Sequence, residues 1–176
     1  MKQIVLIFSL LLAIDHGIVQ ACTSIIIAGR ATPDGRPIMW KNRDTDSYQN
    51  AIKYFDDGKF KSIGLIDADD PAGHAVWIGY NSAGFSIMNT ASYNLIMKDT
   101  IDLKDQEGIL MREALKQCAT VDEFGMFLKN HSKPLGVEAN FGVIDANGGA
   151  AYFEVSNFSF IKLDVNDPAV APMGYM

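Results

Sequence analysis

Cys22-Thr23-Ser24-Ile25-Ile26-Ile27 is the stretch on which the reading of this chain turns. Thr23–Ala28 is rich in β-branched and apolar residues, the composition of a strand that lies against a core. Thr32-Pro33-Asp34-Gly35-Arg36-Pro37 follows, and its Pro, Asp and Gly favour a turn through their backbone chemistry. Ile38–Asn42 then has the length to return beside the first strand and close a hairpin.

What precedes Cys22 gives the cysteine its meaning. Residues 1–21 have a basic start at Lys2, an apolar core from Ile4 to Ile14, and the small-residue site Val19-Gln20-Ala21. That is the organisation of a secretory signal peptide. The eleven residues of the core are too few to cross a bilayer, which takes about 20. Cleavage after Ala21 leaves a mature domain of residues 22–176 that begins with Cys22, exported to the periplasm or the cell exterior. Its α-amine and thiol then share one residue. They form a complete nucleophile–base unit, because an N-terminal amine can take the proton of its own side chain. Val19-Gln20-Ala21-Cys22 also distantly resembles a lipobox. Lipidation would block both groups and anchor the chain, but Gln20 and the lack of Leu three residues before the cysteine speak against it.

Removing 21 of 176 residues leaves 155, enough for one domain with its own core. An apolar fraction of 48% and a net charge of −6 describe a globular chain with no nucleic-acid footprint. Cys118 falls in a helical stretch, Met111 to Cys118, and reads as a small buried thiol rather than a disulfide partner. No CxxC or Cys/His spacing suggests a metal site, and no cofactor is implied.

Strand signals dominate the remainder. A second hairpin is predicted from Ala51–Phe55 to Phe60–Ile66, turning at Asp56-Asp57-Gly58-Lys59. A third runs from His74–Tyr80 through Asn81-Ser82-Ala83-Gly84 to Phe85–Ala91. Gln106–Cys118 has helical spacing of Ile109, Leu110, Ala114 and Leu115. Thr120 and Glu123 make a capping-box signature for a second helix reaching Asn130. Asn140–Asp145 and Ala150–Val155 form a fourth hairpin, which Phe158–Leu163 continues. Antiparallel strands with an inserted helical pair predict an α+β fold with helices layered on sheets. Trp77, Phe85 and Phe141 are assigned to the core. Asn166–Met176 carries no helix or strand signal, so the sheets are expected to keep open edges and the polypeptide to be incomplete.

Cys22-Thr23-Ser24-Ile25, followed by Trp40-Lys41-Asn42-Arg43-Asp44, resembles the start of the linear-amide C–N hydrolases. These are the choloylglycine hydrolases, penicillin V acylases, acid ceramidase-like amidases and penicillin acyltransferase-like proteins. The resemblance continues through Gly79-Tyr80-Asn81-Ser82-Ala83-Gly84-Phe85, Arg112-Glu113-Ala114-Leu115 and Asn140-Phe141-Gly142-Val143-Ile144-Asp145. It implies the N-terminal-nucleophile αββα sandwich, incomplete at its C-terminal end. It also implies a thiol amidase for linear acyl amides such as conjugated bile acids, penicillin V-like amides or N-acyl amines.

Carried over by position, Cys22 is the nucleophile, its α-amine the base, and Asp44 the acid that orients the amine. Lys41 stands where the family usually has arginine, and Asn89 lends its amide to the oxyanion hole. Asn81 reads first as a turn former, and is carried over as a substrate-binding residue. The expected partner is a small-molecule amide, with no nucleic acid and no stable membrane span; a homo-oligomer is compatible. An acyltransferase of the same fold, a lipid-anchored protein and an inactive truncated relative are the alternatives.

Overall fold

The computed structural model describes residues 22–92 and 105–176. The segment 1–21, read as a signal peptide, lies outside the described residues. Strands β1 (Thr23–Ile27) and β2 (Ile38–Asn42) pair antiparallel as a two-stranded sheet. The next seven strands are β3 (Asn50–Phe55), β4 (Ser62–Asp67), β5 (Ile78–Asn81), β6 (Ser86–Ala91), β7 (Ala139–Ile144), β8 (Ala150–Val155) and β9 (Phe160–Asp164). They form a single antiparallel sheet in which each strand lies beside its neighbours in sequence. Helices α1 (Glu107–Gln117) and α2 (Val121–Asn130) are inserted between β6 and β7.

Period-two alternation divides the large sheet into two buried faces. Ala151, Phe153 and Val155 on β8 and Ile87 on β6 join one core with Leu110, Met111, Leu115, Phe124 and Leu128 of the helices. Phe124 is fully buried at its centre, with Phe153 edge-on at 5.0 Å and Phe141 at 5.9 Å between ring centroids. Burying such a side chain stabilises the fold by about 1.5–3 kcal/mol, with up to about 1.5 kcal/mol more for edge-to-face pairing. Met88 and Tyr152 point to the opposite face and pack with Ile26 and Ala28 of the nucleophile hairpin and with Val165. Helix pair, large sheet and small sheet are therefore three successive layers of an α+β sandwich. They account for three layers of the expected αββα arrangement among the described residues. The outer face of the small sheet carries Ile38 and Trp40, 47% and 52% exposed.

Local signals account for most boundaries. The Thr120 hydroxyl accepts from Glu123 N at 3.1 Å and caps α2, while Glu123 reaches back to Ala119 N at 2.7 Å. This is the capping box, displaced one residue on its return arm. Cys118 ends α1 as a buried C-cap, and both cysteines are unpaired. Burial pushes the Cys118 thiol up to about 12, so it stays protonated and inert.

Two expectations are corrected. The first strand of the third hairpin starts at Ile78, not His74. The Asp70 carboxylate accepts from His74 N at 2.7 Å and Ala75 N at 3.4 Å, which holds that segment as a turn. The C-terminal stretch also closes onto the small sheet, although the sequence shows no strand there. Ile26 N donates to Met176 O at 2.9 Å, Met176 N to Ile26 O at 3.0 Å, and Ala28 N to Gly174 O at 2.7 Å. This single antiparallel bridge, Ile27 with Tyr175, covers the β1 edge that β2 leaves open. Gly174 permits it: its φ is +80°, and a Cβ there would lie 2.7 Å from Ala31 Cβ. Arg30 donates to the carbonyl of Ala171 and ties the same stretch to the nucleophile hairpin.

Candidate active site

The register of the first hairpin builds the site. Thr23 lies opposite Asn42 and Ser24 opposite Lys41, so Cys22 falls opposite Arg43, with Asp44 just beyond. Because side chains alternate along strands, Ser24 and Ile26 share the inner face with Met39 and Lys41, while Ile38, Trp40 and Asn42 are exposed. The polarity is inverted relative to an ordinary surface strand: Trp40 faces out and Lys41 faces in. The Cys22 thiol donates to the Asp44 backbone carbonyl at 3.7 Å, holding the cysteine against the end of β2. The Asp44 side chain is exposed.

Lys41 crosses the space between the sheets. Its ammonium donates to the carbonyl oxygen of Trp77 at 2.9 Å and to Asn89 Oδ1 at 2.8 Å. Burial lowers its pKa to about 8; charge at Cys22 opposes the shift and Arg43 adds to it. A strongly hydrated ammonium rarely sits in such a place. Asn89 is buried on β6, and the last β5–β6 pair is Ile78 with Met88. Asn89 therefore stands one position past the end of the pairing, where its amide can meet Lys41.

A second layer supports this cluster. The Arg43 guanidinium donates to Asp67 Oδ1 at 2.7 Å and lies over the Trp77 ring, 4.9 Å from its centroid. Trp77 Nε1 donates to the other Asp67 oxygen at 2.8 Å. Burial raises the Asp67 carboxyl, but hydrogen bonds from Arg43, Trp77 and Ser47 outweigh it and hold the pKa below the usual range. This triad fixes the residue preceding β5, Trp77, whose carbonyl receives Lys41. On the other side, the Ser24 and Tyr152 hydroxyls are 2.9 Å apart, linking β1 to β8 across the layer. Arg43, Asp67, Trp77, Ser24 and Tyr152 were not singled out as site residues from sequence. The hairpin spacing, which puts 22, 24, 41 and 43 on one face, was the available signal for two of them.

Beside the cluster lies an apolar groove of about 330 Å³, lined by Met39, Ile63, Leu65, Ile78, Tyr80 and Ile144 among others. Met39 is two residues from Lys41 on the same face of β2, and Ile78 follows Trp77. The groove lining therefore includes residues near Lys41 and next to Trp77.

Asn81 is not part of the site, and its assignment to substrate binding is corrected. It is 3% exposed, and its amide donates to the Leu115 and Cys118 carbonyls at 2.9 and 2.8 Å. Its Oδ1 accepts from Ala83 N and Phe85 N at 3.1 and 3.2 Å. Both donor hydrogens and the acceptor are thus spent on the end of α1 and the turn after β5, leaving nothing to offer a ligand. No group of His, Cys, Asp and Glu able to hold a metal occurs among the described residues. No helix among the described residues is long and apolar enough to cross a membrane.

The family model described as acyl-coenzyme A:6-aminopenicillanic acid acyl-transferase matches residues 30–166. The chain belongs to that family. Among solved structures it is similar to a mutant of the conjugated bile acid hydrolase from Clostridium perfringens. That match has 16% identity and a TM-score of 0.58, over 88% of this chain and 53% of that one. The chain is also similar to the Caenorhabditis elegans ortholog of N-acylethanolamine-hydrolyzing acid amidase. Here the identity is 17% and the TM-score 0.63, over 87% of this chain and 67% of that one. At these identities the likeness is one of fold. The chain spans about half the length of the first. No curated protein matches the chain.

Proposed function

We propose that this chain cleaves linear acyl amides through a thioester on Cys22, after export and removal of residues 1–21. The Cys22 sulfur attacks the amide carbonyl and its proton passes to the α-amine of the same residue. The resulting oxyanion is stabilised by the Asn89 amide and by the positive charge of Lys41, a kind of donor worth about 2.7–4 kcal/mol in catalysis. Collapse breaks the C–N bond, and the α-amine returns the proton to the departing amine. Water then adds to the thioester and releases the acid, restoring the thiol; an amine acceptor in place of water makes the same site an acyltransferase. Asp44 lies beside the cysteine and orients the amine.

The observation that supports this reading is Lys41, whose ammonium bonds Asn89 Oδ1 at 2.8 Å within electrostatic reach of Cys22, with an apolar groove lined by the nearby Met39 and Ile78. The groove suits an apolar acyl group, as in conjugated bile acids, phenoxyacyl amides of the penicillin V kind or N-acyl amines.

Intact mass and N-terminal sequencing of the secreted protein, with an amide panel of these three classes, test the proposal. The expected product begins at unmodified Cys22, and Cys22→Ala abolishes hydrolysis while leaving the circular dichroism spectrum unchanged. Hydrolysis by Cys22→Ala at the wild-type rate, or a diacylglyceryl adduct on Cys22, overturns it.

A further inference from the structure

We propose that Lys41 is a positioning residue for Asn89: its ammonium, bound to Asn89 Oδ1, sets which end of the side-chain amide is presented to the substrate carbonyl oxygen. The inference rests on the oxyanion role given to Asn89 above. An ammonium has three donors and no acceptor. Facing it at 2.8 Å, the Asn89 amide must turn its oxygen toward Lys41, because the opposite orientation sets two donors head to head. The two ends of an amide are nearly alike in shape, so packing alone selects poorly between them. The charged hydrogen bond selects decisively. The donor end, Nδ2, is then the one left for an oxyanion.

The ammonium is itself fixed by its bond to the Trp77 carbonyl at 2.9 Å, and Trp77 is pinned by the Asp67 bonds to its indole and to Arg43. The charged groups acting on Lys41 are Cys22, just before β1, and Arg43, just after β2. Asp67 engages Arg43, and Tyr152 is bonded to Ser24, the cross-strand partner of Lys41. The Trp77 carbonyl and the Asn89 amide do not titrate.

A neutral Lys41 amine gains a lone pair and can accept from Nδ2, so deprotonation releases the amide from its single orientation. With the pKa at about 8, this release falls inside an accessible range. A guanidinium keeps its proton and, like the ammonium, only donates. Lys41→Arg therefore preserves the orientation while removing the titration.

The experiment uses the mature chain with carboxamide-13C asparagine, following the Asn89 carboxamide carbon from pH 6 to 10 by NMR. The pH dependence of kcat for a chromogenic phenoxyacetyl anilide is measured in parallel. In the wild type the Asn89 resonance titrates with a midpoint near 8, and kcat falls through the same midpoint to a lower plateau, with KM within about threefold. In Lys41→Arg both the titration and the alkaline fall disappear. A flat Asn89 resonance in the wild type, or an alkaline fall that persists in Lys41→Arg, overturns the inference. The resonance reads out without turnover, so failure here is distinct from failure of the amidase reading, which an active Cys22→Ala variant would reveal.

Discussion

Replacing Lys41 by Met should make the folded protein relatively more stable at neutral than at alkaline pH, by an amount the site geometry sets. Folding lowers the Lys41 pKa from 10.5 to about 8. The unfolded chain therefore holds this proton more tightly than the folded one. Charged Lys41 opposes folding fully below pH 8, and the opposition fades as pH rises from about 8 to about 10.5. At about 1.36 kcal/mol per pH unit the complete effect is about 3 kcal/mol. Between pH 7 and pH 9.5 the folded-state titration supplies about 2 kcal/mol of it. Lys41→Met has no such proton.

The variant also leaves the Trp77 carbonyl and Asn89 Oδ1 without their donor, at about 1–3 kcal/mol each. That loss is present at both pH values and cancels when they are compared. Urea denaturation of wild type and variant at pH 7 and pH 9.5 gives the comparison. The stability of Lys41→Met minus that of wild type should fall by about 2 kcal/mol from the lower to the higher pH. A difference constant to within about 0.5 kcal/mol would refute the claim that the ammonium is held in a poorly solvated site.

Two further substitutions test the supports. Asn81→Ala removes both amide bonds to the end of α1 and both turn contacts. It should lower stability by about 2–4 kcal/mol in urea titration; a cost under about 0.5 kcal/mol would return Asn81 to the list of ligand-facing residues. Tyr152→Phe breaks the 2.9 Å bond to Ser24 while keeping the ring. It should cost about 1 kcal/mol, seen as a lower Tm, and a variant as stable as wild type would show that this bond does not hold β1 to the large sheet.

Much of the architecture was legible because it depends on neighbours in the chain. Asp-Gly and Asn-Gly turns between β-rich runs marked the hairpins, and Thr120 with Glu123 marked the start of α2. The motif around Cys22 and Lys41-Asn42-Arg43-Asp44 was legible too, since one hairpin register brings its members together. Asn81 reads as a turn former, which the structure shows, but a turn asparagine looks the same whether its amide meets a ligand or the carbonyls of Leu115 and Cys118, 34 and 37 residues away. Trp77 was assigned to the core on hydrophobicity, yet its indole bonds Asp67 and stacks under Arg43. Tyr152 is one of several apolar residues on β8 until β1 is laid across it.

The C-terminal bridge was hidden for a related reason. Pro168, Pro172 and Gly174 read as loop, and the partner edge exists only once β1 has docked. The amino-acid sequence by itself determined most elements, the hairpin pairings and the nucleophile candidate, largely properties of short-range backbone chemistry and side-chain alternation. Only the tertiary structure decided which polar groups lose their water and what they bond to instead. That choice, made by the packing of one sheet on another, is what turns Lys41 from a strand residue into a partly buried cation bonded to Asn89 near Cys22.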